Sequence, residues 1–252
     1  MELIRFVHHV AAVLLTGVAV AHAQTASRCA DCHFANPSSV STTHLAEWDL
    51  SAHGRNKVGC EKCHGGDPRS FEPFVAHRGI LARSNPASPV YRSNEPATCG
   101  TCHQGPYEAF RKSRHFRLLT AGDPDVPTCA TCHGEVAGLR PSPTALEARC
   151  QQCHGPRSRT PRPEFAARGR QSFEGLREAR ALLTDIRRAI ARVKDPARKA
   201  ALSREADLAE RPIVDATGEA HAYVYDHLDE WLALARTRLS QLFDRVANPD
   251  AR

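Results

Sequence analysis

Ten cysteines fall in five C-x-x-C pairs, and a histidine directly follows each pair: Cys29, Cys32 and His33; Cys60, Cys63 and His64; Cys99, Cys102 and His103; Cys129, Cys132 and His133; Cys150, Cys153 and His154. No cysteine is left over. C-x-x-C-H is the attachment signature of c-type haem. Its two thiols add to the two vinyl groups of the porphyrin, and the same short turn places the adjacent histidine against the iron from one face. A zinc site does not need a histidine directly after each pair, and a disulfide framework needs none. The expectation is five covalently attached haems c.

The N-terminus reads as an export signal over residues 1–23. Arg5 precedes an apolar run from Val10 to Ala21, and Ala21-His22-Ala23 has the small-x-small pattern of a cleavage site before Gln24. About a dozen apolar residues fall short of the roughly twenty that span a bilayer. A periplasmic protein with no stable membrane insertion is expected, with an uncleaved anchor in the inner membrane as the alternative. Haem attachment is made outside the cytoplasm, so the leader and the motifs agree.

The second axial position of each iron then needs a donor. Methionine is excluded, because Met1 is the only one in the chain. Beyond the motifs the mature chain holds His44, His53, His77, His115, His221 and His227, six candidates for five irons. Most or all irons are expected to be bis-histidine, low-spin and of low potential. Lys57, Lys62 and Lys112 are weaker alternatives, since lysine in so charged a chain is usually solvated. An oxidised bis-histidine haem with ionised propionates carries about one negative charge, so five take the formal +6 to roughly +1. The basic excess therefore does not point to nucleic acid.

All five motifs lie in residues 24–160, a stretch too short to bury a conventional core around so many sites, so the haems are expected to form most of its interior. Frequent Pro and Gly, among them Gly65-Gly66, Pro68, Gly105-Pro106, Pro124 and Pro127, imply short helices and loops with little sheet. A partial repeat runs through it: Trp48-Asp49-Leu50-Ser51-Ala52-His53 and Phe110-Arg111-Lys112-Ser113-Arg114-His115 are both aromatic-x-x-Ser-x-His. The ring can pack on a porphyrin while the imidazole reaches an iron.

With these paired motifs flanking an aromatic-x-x-Ser-x-His segment, residues 29–155 resemble the multihaem cytochromes of the cytochrome c-554 type. The resemblance implies that His53 and His115 are distal ligands. The segment Cys63-His64-Gly65-Gly66-Asp67-Pro68 with Ala76-His77-Arg78-Gly79-Ile80 is similar to a pattern in larger members and implies the same for His77. It further implies closely packed haem pairs and electron transfer between redox partner proteins. The fifth motif and the C-terminal extension depart from the tetrahaem pattern.

Residues 161–252 hold no cysteine and are rich in Ala, Leu, Arg and Glu. Leu176, Ala179, Leu183, Ile186, Ile190 and Val193 form one apolar stripe, ended by Pro196; a shorter helix runs to Glu210; Pro212 and Gly218 punctuate again. A second stripe carries His221, Tyr225, Leu228, Leu232, Ala235, Leu239, Leu242 and Val246. The two stripes are expected to face each other as a long antiparallel helical hairpin, or to meet a partner chain. His221, His227 and His44 compete for the remaining axial position, with His221 favoured over His227. The fold class expected is mainly α: a pentahaem domain followed by that hairpin. The function expected is an electron carrier. The alternative is a reductase or oxidase of a small nitrogen or sulfur compound at one open haem.

Overall fold

The computed structural model describes residues 27–248 except 38–39, 137–139 and 160; the predicted leader lies outside the described residues. Ten short or medium helices come first: α1 (Arg28–Ala35), α2 (Thr42–Asp49), α3 (Ala52–Arg55), α4 (Glu61–His64), α5 (Pro73–Ala76), α6 (Glu95–Gly100), α7 (Gln104–Arg111), α8 (Arg114–Thr120), α9 (Cys129–His133) and α10 (Pro143–His154). Three long ones follow: α11 (Pro163–Ala191), α12 (Pro196–Ala222) and α13 (Tyr225–Ala247). Among the described residues there is no strand, and no helix is long and apolar enough to cross a membrane.

The extended apolar core lies in the three long helices. Leu176, Leu183, Ile186 and Ile190 of α11 meet Leu202, Ala209 and Ile213 of α12 and Leu228, Leu232, Leu239 and Leu242 of α13. The motif region has only a small cluster of Phe110, Leu119 and Val126, with Phe116, Leu118 and Tyr223 against it. The two parts are joined, since α10 packs on α11 and α7 on α12.

The predicted antiparallel hairpin is corrected to a three-helix bundle. Arg168 pairs with Asp226 and Asp229, and a Cβ on Gly175 would meet Arg236 Nη2 at 2.6 Å, so α11 and α13 advance in the same direction. α12 runs opposite to both: Arg187 meets Glu210 at 2.7 Å and Arg180 meets Thr217 at 2.5 Å, while Arg245 meets Glu205 at 2.6 Å. The error arose at Pro212 and Gly218, which lie inside α12 instead of breaking it.

Proline inside a helix removes one donor and leaves the carbonyl four residues earlier without a partner, at a cost of about 3 kcal/mol. Here that carbonyl, Leu208 O, accepts a hydrogen bond from Arg238 Nη1 of α13 at 2.9 Å. Pro212 itself is fully buried in the bundle. Pro196, read from the sequence as a stop, is the first residue of α12, with Asp195 accepting from Arg198 N at 3.0 Å as its cap.

Replacing Arg238 with Met is expected to lower unfolding free energy by about 1 kcal/mol, the net worth of one intramolecular hydrogen bond at an exposed carbonyl. In a Pro212→Ala background, where the helix again supplies a donor, the loss is expected to fall by half or more. Equal losses in denaturant titrations of the two backgrounds would show that Arg238 does not serve that carbonyl.

Candidate haem-binding sites

Each motif occupies the end of a helix or the turn just after it. His33 is in the last turn of α1, His64, His133 and His154 close α4, α9 and α10, and His103 precedes α7. Opposite each stands a histidine from a distant part of the chain. Ring centres are 5.8 Å apart for His33 and His77, 6.2 Å for His64 and His44, 6.0 Å for His103 and His53, 6.2 Å for His133 and His221, and 6.0 Å for His154 and His115.

These spacings fit one iron between two axial imidazoles. A metal–nitrogen bond of about 2 Å on each side, with about 1 Å more from each ring nitrogen to its ring centre, puts the centres about 6 Å apart. Direct stacking would bring them closer. Four of the ten imidazoles are shifted toward the neutral form: burial pushes His33, His64 and His221 below the usual histidine range, and burial, His154 and Arg114 push His115 down to about 4. Neutral imidazole is the form that binds metal.

Three of the partners are held by their other nitrogen. His77 Nδ1 donates to Pro73 O at 2.7 Å, His221 Nδ1 to Thr217 O at 2.7 Å, and His53 Nδ1 to Val136 O at 3.3 Å. A carbonyl can only accept, so these bonds put the proton on Nδ1 and leave Nε2 with its lone pair free. His227 is exposed on α13, its Nδ1 3.9 Å from Glu219.

The aromatic-x-x-Ser-x-His repeat has a mechanical basis in which the serine is essential. Ser51 and Ser113 are the N-caps of α3 and α8, accepting from Gly54 N at 3.1 Å and Phe116 N at 3.0 Å. Each histidine is then the second residue of a new helix. The buried Trp48 and Phe110 anchor the turn before it, and the Trp48 indole donates to Val58 O at 2.9 Å. Gly54 has no room for a side chain, since a Cβ would lie 2.4 Å from Trp48 O.

Cysteines of successive motifs are neighbours. Burial pushes the Cys60 thiol up, Ser27 lowers it, and Cys29 beside it raises it further. Burial pushes up Cys63, beside Cys99 and Cys102, and Cys132 to about 11, beside Cys150. Between the third and fourth motifs, donor atoms of Glu95, Cys99 and Cys129 lie within 4.8 Å of one another. Glu95 accepts from Ala130 N at 2.7 Å and Thr128 Oγ1 at 3.1 Å, fastening α6 to α9. The attachment points are thus strung in chain order.

Tyr223 is a residue that sequence reasoning missed. It follows α12 with φ 62° and ψ 34°, the left-handed position usually taken by glycine. Its ring meets His115 edge-on at 4.6 Å, two residues beyond His221. One side chain therefore touches the fifth histidine pair while its backbone follows the fourth.

A family model described as cytochrome c554 and c-prime matches residues 9–65, under a quarter of the chain and including the first two motifs. No curated protein matches the chain. The family match supports a c-type cytochrome, a class that holds haem c covalently and transfers electrons.

Tyr223→Phe keeps the ring on His115 and is expected to cost under about 1 kcal/mol of stability, whereas Tyr223→Ala keeps the left-handed strain, loses the ring, and is expected to cost about 3 kcal/mol. Equal costs by denaturant titration would mean that the contact with His115 does not hold this residue.

Proposed function

We propose that the chain is a periplasmic pentahaem c-type cytochrome that carries electrons between redox partner proteins. The observation that supports this reading best is that each of the five motif histidines faces a second histidine at a separation fitting one iron. Haem c, when bound, takes up and returns single electrons at its iron.

The residues divide the work. Cys29, Cys32, Cys60, Cys63, Cys99, Cys102, Cys129, Cys132, Cys150 and Cys153 hold five haems by thioether bonds. His33, His64, His103, His133 and His154 are the proximal ligands; His77, His44, His53, His221 and His115 are the distal ligands in the same order. With histidine on both faces, an iron has no position for a substrate, which favours a carrier over a reductase or oxidase. The export signal over 1–23 supplies the compartment in which attachment is made.

EPR of the oxidised, purified protein tests this. Low-spin signals accounting for five irons, unchanged by nitrite or hydroxylamine, are expected. A stoichiometric high-spin signal that shifts on adding either compound would replace the carrier with an enzyme acting at an open haem. The ligands are tested separately: His53→Ala and His115→Ala are each expected to turn one haem high-spin while the covalent haem content stays at five. An unchanged spin state in either variant would overturn that assignment.

A further inference from the structure

The fourth histidine pair has a cationic neighbour that no carboxylate balances among the described residues. Arg180, half-buried on α11, donates from Nη2 to Thr217 Oγ1 at 2.5 Å. The carbonyl of the same Thr217 holds His221 Nδ1 at 2.7 Å, so one residue of α12 anchors both the guanidinium and the imidazole. Thr217 is itself fixed, its hydroxyl donating to Ile213 O at 2.6 Å.

Four of the six arginines of α11 meet carboxylates. Arg168 pairs with Asp226, Arg170 with Glu147 at 3.1 Å, Arg187 with Glu210 at 2.7 Å and Arg188 with Asp185 at 3.0 Å. Among the described residues no ion pair holds Arg177, which is exposed, or Arg180, which is half-buried. Its near neighbour is another cation, Arg140, just before the Ser142 cap of α10; burial first, and Arg140 second, push Arg180 below the usual arginine range. A partly buried guanidinium beside a second one is unfavourable unless an anion joins them. Arginine's planar fork suits a carboxylate or another oxyanion.

We propose that Arg180, with Arg140 at the rim, forms an anion site that takes a propionate carboxylate of the haem held by Cys129, Cys132, His133 and His221. The inference rests on the haem reading above and adds a role for the C-terminal bundle, which lies outside the segment matched by the family model. Arg180 is a positioning residue. Its charge offsets the propionate, and so disfavours the oxidised, more positive state of that haem.

The test uses the full-length protein with its haems attached, in potentiometric titrations followed optically and by EPR. The His133 and His221 rings lie 11° from parallel, against 51–80° in the other pairs, which gives this site a low-spin EPR signal of its own. Arg180→Gln is expected to lower one midpoint potential of the five, that of the near-parallel site, with haem count and low-spin content unchanged. Arg180→Lys is expected to recover most of the shift, and Arg187→Gln, which removes an exposed cation of the same helix, to leave all potentials alone. Five unchanged potentials in Arg180→Gln would overturn the proposal. A saturable spectral change on adding nitrite or sulfite to the natural protein, absent from Arg180→Gln, would assign the site to a free oxyanion and overturn the propionate. A natural protein lacking the fourth haem would overturn the haem reading itself, a failure that haem counting registers before any potential is measured.

Discussion

Five pairs of imidazoles facing each other across about 6 Å are the arrangement around which the rest of the structure is built, and on the proposed reading an iron between each pair holds it. One histidine of each pair is carried by its own motif, and the other must be brought from elsewhere, so each pair closes a loop whose entropy cost the coordination has to offset. This requirement explains why residues 27–154 are mostly short helices ending at a motif or starting just before a distal histidine. Regular structure persists there only as far as is needed to aim a side chain.

The bundle answers to a different constraint. Its three helices bury a continuous apolar core and satisfy their own backbone, including the carbonyl orphaned by Pro212. It is therefore rigid on ordinary terms and presents His221 from its surface, on the last turn of α12, already oriented by Thr217. A ligand held in this way loses little rotamer freedom on binding. The C-terminal part is thus a structural member of the fourth site.

The motif histidines and cysteines were legible because C-x-x-C-H is a local pattern, complete within five residues. His53 and His115 stood out because their Ser-x-His spacing recurs, and each faces a motif histidine, although the serine's role as a cap emerged only from the backbone. The pairing of each distal histidine with its motif was not legible: it depends on contacts between segments far apart in sequence, and no short pattern encodes them. The helix at Pro212 failed for the same reason. Local propensity breaks it, and burial of Pro212 within the bundle, with one arginine of the next helix on the freed carbonyl, outweighs that propensity. Tyr223 went unread because its backbone conformation is set by what its ring touches.

The sites lean on one another in a fixed order. Gly66, with φ 90°, lets the chain leaving the second motif approach Ala76 O so closely that a Cβ would lie 2.5 Å from it, and Asp67 N bonds that carbonyl at 3.0 Å; both hold α5 and with it the partner of the first motif, His77. The buried Trp48 lies in sequence between His44 and His53, which face the second and third motifs, and its indole donates to Val58 O. Glu95 fastens the third motif to the fourth, and Tyr223 bridges the fourth and fifth. Every distal partner lies outside the motif it faces, and four of the five pairs draw on a segment beyond the neighbouring motif's own helix. Thioether attachment needs only the five residues of a motif, whereas the second histidine needs the fold.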